Sequence, residues 1–222
     1  MRSPEVLLFD VNETLSDLSG MVQRFTDVGA PGHLAATWFA GVLRDGFALA
    51  VGGTSAPFAA VAAAGLRGLL TGLPLDRALE DAVTHVLAGF DQLDVHPDVP
   101  DGIRALADRG LRLVTLSNGA TQVAAGLLDR AGVAERFERL LSVEAAGVWK
   151  PAAGAYAHAL EQCGVEAAAA MLVAVHPWDV DGAGRAGLAT VWLNRNGGPY
   201  PDHFRRPDLE VAALGDLAAL LG

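Results

Sequence analysis

The chain has 222 residues, 51% of them hydrophobic, enough for one α/β domain with an inserted subdomain and a sizeable core. Its formal net charge of −10 argues against nucleic acid and anionic membrane as partners, which need a basic face, but leaves room for a local basic pocket that holds a small anion. The single Cys163 excludes an intrachain disulfide and fits a reducing compartment; in the helical pattern of residues 159–163 it reads as an inert packed thiol.

The first five residues lead into a short strand and an acidic loop, so no signal peptide is expected and the expected location is the cytoplasm. Val6-Leu7-Leu8-Phe9 is a continuous apolar run that suits a strand buried on both faces of a parallel sheet. Asp10 follows at its carboxyl end, where open α/β sheets place their ligands. Residues 17–95 then contain no convincing strand. They read as helices around 19–28, 32–50, 57–69 and 75–93, with Thr71-Gly72-Leu73-Pro74 as a clear break. Residues 47–66 carry no charge and are about long enough to cross a bilayer. Their Ala/Gly composition, with Gly52-Gly53 and Pro57 in the middle, instead suggests two buried helices joined by a turn.

Alternation of strand and helix resumes near residue 97. A helix capped by Asp98 or Asp101 ends at Arg109-Gly110, and residues 111–116 form a strand that ends in Ser117-Asn118-Gly119. A helix over 121–131, a short strand over 137–143 and a helix from Pro151 to Cys163 follow. Residues 171–175 are a strand leading to His176-Pro177-Trp178-Asp179. A short helix over 179–186, a strand over 188–193, a surface loop over 194–207 and a last helix over 215–221 complete the chain. The pattern predicts an α/β fold: a doubly wound, mostly parallel, Rossmann-like sheet with an inserted helical cap subdomain. Residues 1–16 and 96–222 would form the core domain and 17–95 the cap. The apolar, Ala-rich insert also offers a surface for a homodimer.

All strand carboxyl ends of a parallel sheet lie on one edge, so Asp10, Ser117-Asn118 and His176 to Asp179 can converge there without being close in sequence. Lys150 precedes a helix N-terminus. A carboxylate such as Asp10 is a weak nucleophile in water, but a dry site with a cation beside it keeps it ionised and oriented, and Lys150 is the obvious cation. Ser117 and Asn118 supply donors for a carboxylate or a developing oxyanion, and Asp179 can position or deprotonate a water.

Phe9-Asp10-Val11-Asn12-Glu13-Thr14-Leu15, Leu116-Ser117-Asn118-Gly119, Lys150-Pro151 with Tyr156, and Trp178-Asp179 with Gly182-Ala183 and Ala186-Gly187 occur in this order. Together they resemble the four motifs of the haloacid dehalogenase superfamily, and within it the type II 2-haloacid dehalogenase-like group. The resemblance covers nearly the whole chain. It implies a two-step hydrolysis of a small carboxylate substrate, a 2-haloalkanoate. Asp10 would displace halide from C2 to give an ester, and water aided by Asp179 would attack the Asp10 carbonyl. It further implies that Thr14, Ser117, Lys150 and Tyr156 hold Asp10 and the substrate carboxylate. Val11, Asn12, Asn118 and Trp178 would line the substrate site.

The chain departs from that pattern in telling places. Phosphatases of the superfamily carry an Asp two residues after the nucleophile and a metal-binding Asp near the fourth motif, where this chain has Asn12 and Val173-Ala174. Chemistry without metal or cofactor is therefore expected. The best-characterised dehalogenases carry an aromatic at the place of Asn12, Ser and Asn at those of Ala174 and His176, and an Arg after the cap element that corresponds to Thr37-Trp38; this chain has Phe39 there. Arg44, about one helical turn further on, is the candidate replacement for receiving halide. His176 is the candidate for activating water or stabilising the released anion. Two other readings remain open at this point: a magnesium-dependent phosphatase of the same superfamily, and a binding protein that has lost the chemistry.

Overall fold

Strand β1 (Val6–Phe9) is wholly buried, as four successive apolar residues without alternation require. The computed structural model describes residues 3–221; Met1 and Arg2, where the expectation of no leader begins, and Gly222, the last residue of the expected core, lie outside the described residues. After β1 the chain leaves the sheet and builds α1 (Met21–Thr26), α2 (Leu34–Val51), α3 (Phe58–Leu70) and α4 (Leu79–Leu87). It returns through α5 (Val99–Ala107) into β2 (Arg112–Ser117). Then follow α6 (Thr121–Arg130), β3 (Phe137–Ser142), α7 (Val143–Ala146), α8 (Ala153–Cys163), β4 (Ala170–Ala174), α9 (Pro177–Arg185), β5 (Ala189–Leu193), β6 (Leu209–Val211) and α10 (Leu214–Leu220).

The six strands form one sheet in the order β3-β2-β1-β4-β5-β6, every neighbouring pair parallel. The fold is thus the expected doubly wound α/β, and the sheet is parallel throughout. β1 sits between β2 and β4, with Phe9 in register with both Thr115 and Val173. The strand order reverses at β1, so the residues just beyond it occupy the crevice where such sheets bind ligands.

The helical insert is entered and left at one place. Ser16 and Val95 form an antiparallel bridge, supported by Asp17 N–H to Asp94 O (2.8 Å) and His96 N–H to Leu15 O (2.9 Å). Inside the insert, buried Trp38 packs against Phe25 and Phe90 and satisfies its indole N–H on Ala62 O at 3.0 Å. The uncharged stretch 47–66 is divided as expected: α2 stops at Val51 and α3 starts at Phe58. Among the described residues, α2 is the one helix long and apolar enough to cross a bilayer.

Trp149 joins the insert to the sheet. It is fully buried, stacks on Phe58 at 5.8 Å and donates its indole N–H to Ala56 O at 2.9 Å. Gly46 lets α2 lie directly on that ring, since a Cβ there would stand 2.1 Å from Trp149 Cε3.

Some expected elements are trimmed. The helix expected over 75–93 is regular only over α4, because Asp76 N–H is drawn to Val28 O and the close approach of Met21 and Arg24 to Gly89 marks its far end. Asp98 heads α5 without capping it by its side chain. Its carboxylate binds Arg195 and the Leu214 N–H instead, tying α10 and the loop after β5 to α5.

Candidate active site

Asp10 sits immediately past β1, only 3% exposed. Thr14 turns back to donate its hydroxyl to Asp10 Oδ2 at 2.7 Å and accepts the Val175 N–H at 3.1 Å, which fixes the loop to the end of β4. Lys150 has no exposed side-chain surface. Its Nζ donates to Asp10 Oδ1 at 2.8 Å and to Asp179 Oδ2 at 2.6 Å, so one ammonium lies between two buried carboxylates. Gly182, one turn beyond Asp179 on α9, must be small. A Cβ there would meet the Tyr156 hydroxyl and Pro151 Cβ, each at 2.6 Å.

The charges push one another in definite directions. Burial alone would raise the Asp10 carboxyl, but the Lys150 ammonium, then His176, with hydrogen bonds from Lys150 and Thr14, hold it below its ordinary value. Asp179 goes the other way: burial, reinforced by Asp10, outweighs Lys150 and Tyr156 and raises it. Burial disfavours the Lys150 ammonium, yet the two carboxylates overcome this and raise it. A site whose two carboxyls are driven apart has one acid ready to attack and one ready to take a proton.

The structure brings Asp10, Thr14, Lys150, Asp179 and His176 together and redistributes other expected roles. Tyr156 does not touch Asp10: its hydroxyl donates to Asp179 Oδ1 at 2.6 Å and approaches Asp179 O at 3.2 Å, because α8 delivers it beneath α9. Asn118 is committed to the main chain of Lys150, accepting its N–H at 3.0 Å and reaching its carbonyl at 3.5 Å. Its side chain is thus tied to the main chain that carries the lysine. Arg44 is corrected outright. Its side chain is 76% exposed and paired with neighbouring Asp45 at 2.8 Å, since its place on α2 faces solvent.

Ser117 Oγ accepts the Gly119 N–H at 2.9 Å, which leaves its own proton for another acceptor. Val11 and Asn12 border an apolar cavity of about 390 Å³ together with Ser117, Gly119, Phe58 and Ala62. Trp178 stacks on His176 (4.9 Å, 20° between planes), meets Phe47 of α2 edge-on at 4.9 Å and lies 6.0 Å from Lys150 Nζ. The role of Phe47 had no sequence signal beyond its apolar helical position. Cys163 is buried, which pushes its thiol up and keeps it out of the chemistry. No group of three or more His, Cys, Asp or Glu side chains among the described residues is arranged to hold a metal.

A parallel sheet with a paired, buried aspartate at its switch point and a helical insert above it defines a class of hydrolytic enzymes. The chain belongs to the haloacid dehalogenase-like hydrolase family, whose model matches residues 4–187. It is similar to haloacetate dehalogenase H-2 of Moraxella sp. (strain B), with 29% identity over 100% of this chain and 99% of that protein. It is also similar to (S)-2-haloacid dehalogenase 1 of Pseudomonas sp. (strain CBS-3), with 27% identity over 96% and 95% of the two chains. The structure of L-2-haloacid dehalogenase from Xanthobacter autotrophicus with covalently bound chloropropionic acid superimposes with a TM-score of 0.87, at 25% identity and 98% coverage of each chain.

Proposed function

We propose that this enzyme hydrolyses the carbon–halogen bond of small 2-haloalkanoic acids through an ester on Asp10. A carboxylate oxygen of Asp10 attacks C2, and the halide leaves with the bonding electron pair. Water then adds to the Asp10 carbonyl carbon while Asp179 accepts its proton, and the acyl–oxygen bond of the ester breaks. The 2-hydroxy acid departs and Asp10 returns as a carboxylate. The observation that carries this reading is Lys150 Nζ held between Asp10 and Asp179, which keeps the nucleophile ionised in a dry site and orients the base. The names of the relatives, and the chloropropionic acid covalently bound in the Xanthobacter structure, support the same chemistry.

Ser117, with its free hydroxyl proton, binds the substrate carboxylate, and the cavity beside Asn12 takes the alkyl side of the substrate. A single turnover in ¹⁸O-water tests the mechanism. The first hydroxy acid released should carry unlabelled oxygen and Asp10 should gain the label; label in the product and none in Asp10 would mean direct attack of water on C2.

A further inference from the structure

Glu13 is the one described residue other than glycine with a positive φ, at 63°. A side chain in this region is costly, and glutamate has no local compensation of the kind Asn or Asp finds there. Such outliers persist where surrounding structure enforces them, and they gather at functional sites. The enforcement is visible here. His96 Nε2 bonds the Glu13 carbonyl at 2.9 Å, and Ser16 Oγ accepts the Glu13 N–H at 3.2 Å.

The backbone so held aims the Glu13 carboxylate at His176. His176 Nε2 has three oxygens around it: Asn12 O at 3.2 Å, Glu13 Oε2 at 3.5 Å and Asp10 Oδ2 at 3.8 Å. Asn12 O is the one oxygen at hydrogen-bond distance, so Nε2 carries a proton that it donates there, and His176 stands beside Asp10 as an N–H and not as a base, with the two carboxylate oxygens further out. Stacking on Trp178 sets the plane of the ring. Glu13 and His176 also border a cavity of about 900 Å³ shared with Phe39, Trp38 and Arg195, so this donor stands between the nucleophile and the larger opening.

We infer that Glu13 is a positioning residue that keeps the His176 Nε2–H beside Asp10 Oδ2, 3.8 Å away in the resting site, so that the contact tightens as negative charge gathers on that oxygen during hydrolysis of the aspartyl ester. The Thr14 hydroxyl donates to that oxygen at rest, and His176 becomes its second donor as the charge develops, with Glu13 holding the imidazole from outside the reacting atoms. The inference rests on the proposed ester mechanism. It separates His176, a donor, from Asp179, which takes the proton of water.

The test uses Glu13→Gly and Glu13→Gln in the full chain. Glycine relieves the backbone, so its Tm should hold level or rise by about 2 °C. Its kcat on 2-chloropropionate should fall about tenfold to a hundredfold, with KM changed less than twofold. Glu13→Gln should lie between it and the wild type. Intact-mass spectra at steady state should show the ester accumulating in Glu13→Gly, since its hydrolysis is the impaired step. Independently of any turnover, the His176 Nε2–H proton resonance of the wild type should be lost in the glycine variant. Unchanged kcat, or kcat and Tm falling together, would overturn the inference. Wild type that forms no ester would overturn the proposed function instead, and the resonance would still decide whether Glu13 positions His176.

Discussion

Lys150 is the residue on which the site depends most. Its ammonium separates two fully desolvated carboxylates, so Lys150→Met leaves them facing each other with no counter-charge. Breaking a buried pair in this way typically costs about 3–5 kcal/mol, and urea denaturation should show a loss of that size together with loss of turnover. Because the Lys150 ammonium is held above its ordinary 10.5, the stability it adds is complete below that pH and is lost as pH rises through the higher folded value. Burial also raises the phenols of Tyr156 and Tyr200, so both proteins lose stability in alkali, and thermal melts above pH 10.5 should show a steeper decline in the wild type than in Lys150→Met. Asp10→Asn keeps the shape of the side chain and should fold while releasing no halide. Asp10, Ser117 and Asp179 were legible in the sequence because each ends or closely follows an apolar strand and a parallel sheet gathers such ends, and Lys150 because it is a lone cation before a helix N-terminus. The bonding partners of Tyr156 and Asn118 were not legible, because they lie 23 and 32 residues away and depend on how α8 meets α9 and how the loop before α8 crosses the end of β2. Arg44 was misjudged because helical spacing does not say which face of α2 meets the sheet.

Helix α2 is the element that couples the insert to the chemistry. Gly46 rests on Trp149, the residue directly before Lys150, and Phe47 rests on Trp178, the residue directly before Asp179. A methyl at Gly46 has nowhere to go while Trp149 keeps its place. Gly46→Ala should cost about 1–3 kcal/mol and, by shifting Lys150, should lower kcat by more than its stability loss explains; melts and kinetics on the same sample check both. Helix existence was readable here because apolar spacing and the Gly/Pro breaks are strong signals. Helix ends were less so: α4 is shorter than its pattern because tertiary contacts, and not propensity, set its limits. β6 escaped notice because three residues beside a long loop carry too little pattern to stand out.

At the scale of the molecule, a net charge of −10 meets a substrate that is itself an anion. Approach is opposed at long range, and salt screens that repulsion. kcat/KM for 2-chloropropionate should rise as ionic strength increases from low values, while kcat stays level; a decrease would mean that a local basic field dominates encounter. The cavity of about 390 Å³ beside Asn12 gives the molecule room for more than a methyl group. kcat/KM should grow by about threefold to fourfold per methylene from 2-chloropropionate upward until the cavity is filled. Ala62→Phe should cancel that gain and leave chloroacetate little affected. The doubly wound sheet was foreseeable from alternation alone, whereas the cavity beside Asn12 depends on side chains from α3, α4 and α6 that no linear pattern brings together.

The bridge between Ser16 and Val95 makes departure and return of the chain a single backbone event. An excursion that begins and ends at neighbouring atoms imposes no length on itself. Exchange of residues 17–94 should leave the strand order untouched, provided the replacement still covers Trp149 and Trp178. A chimaera joined at these two residues should therefore inherit its reaction from one parent and its preference from the other.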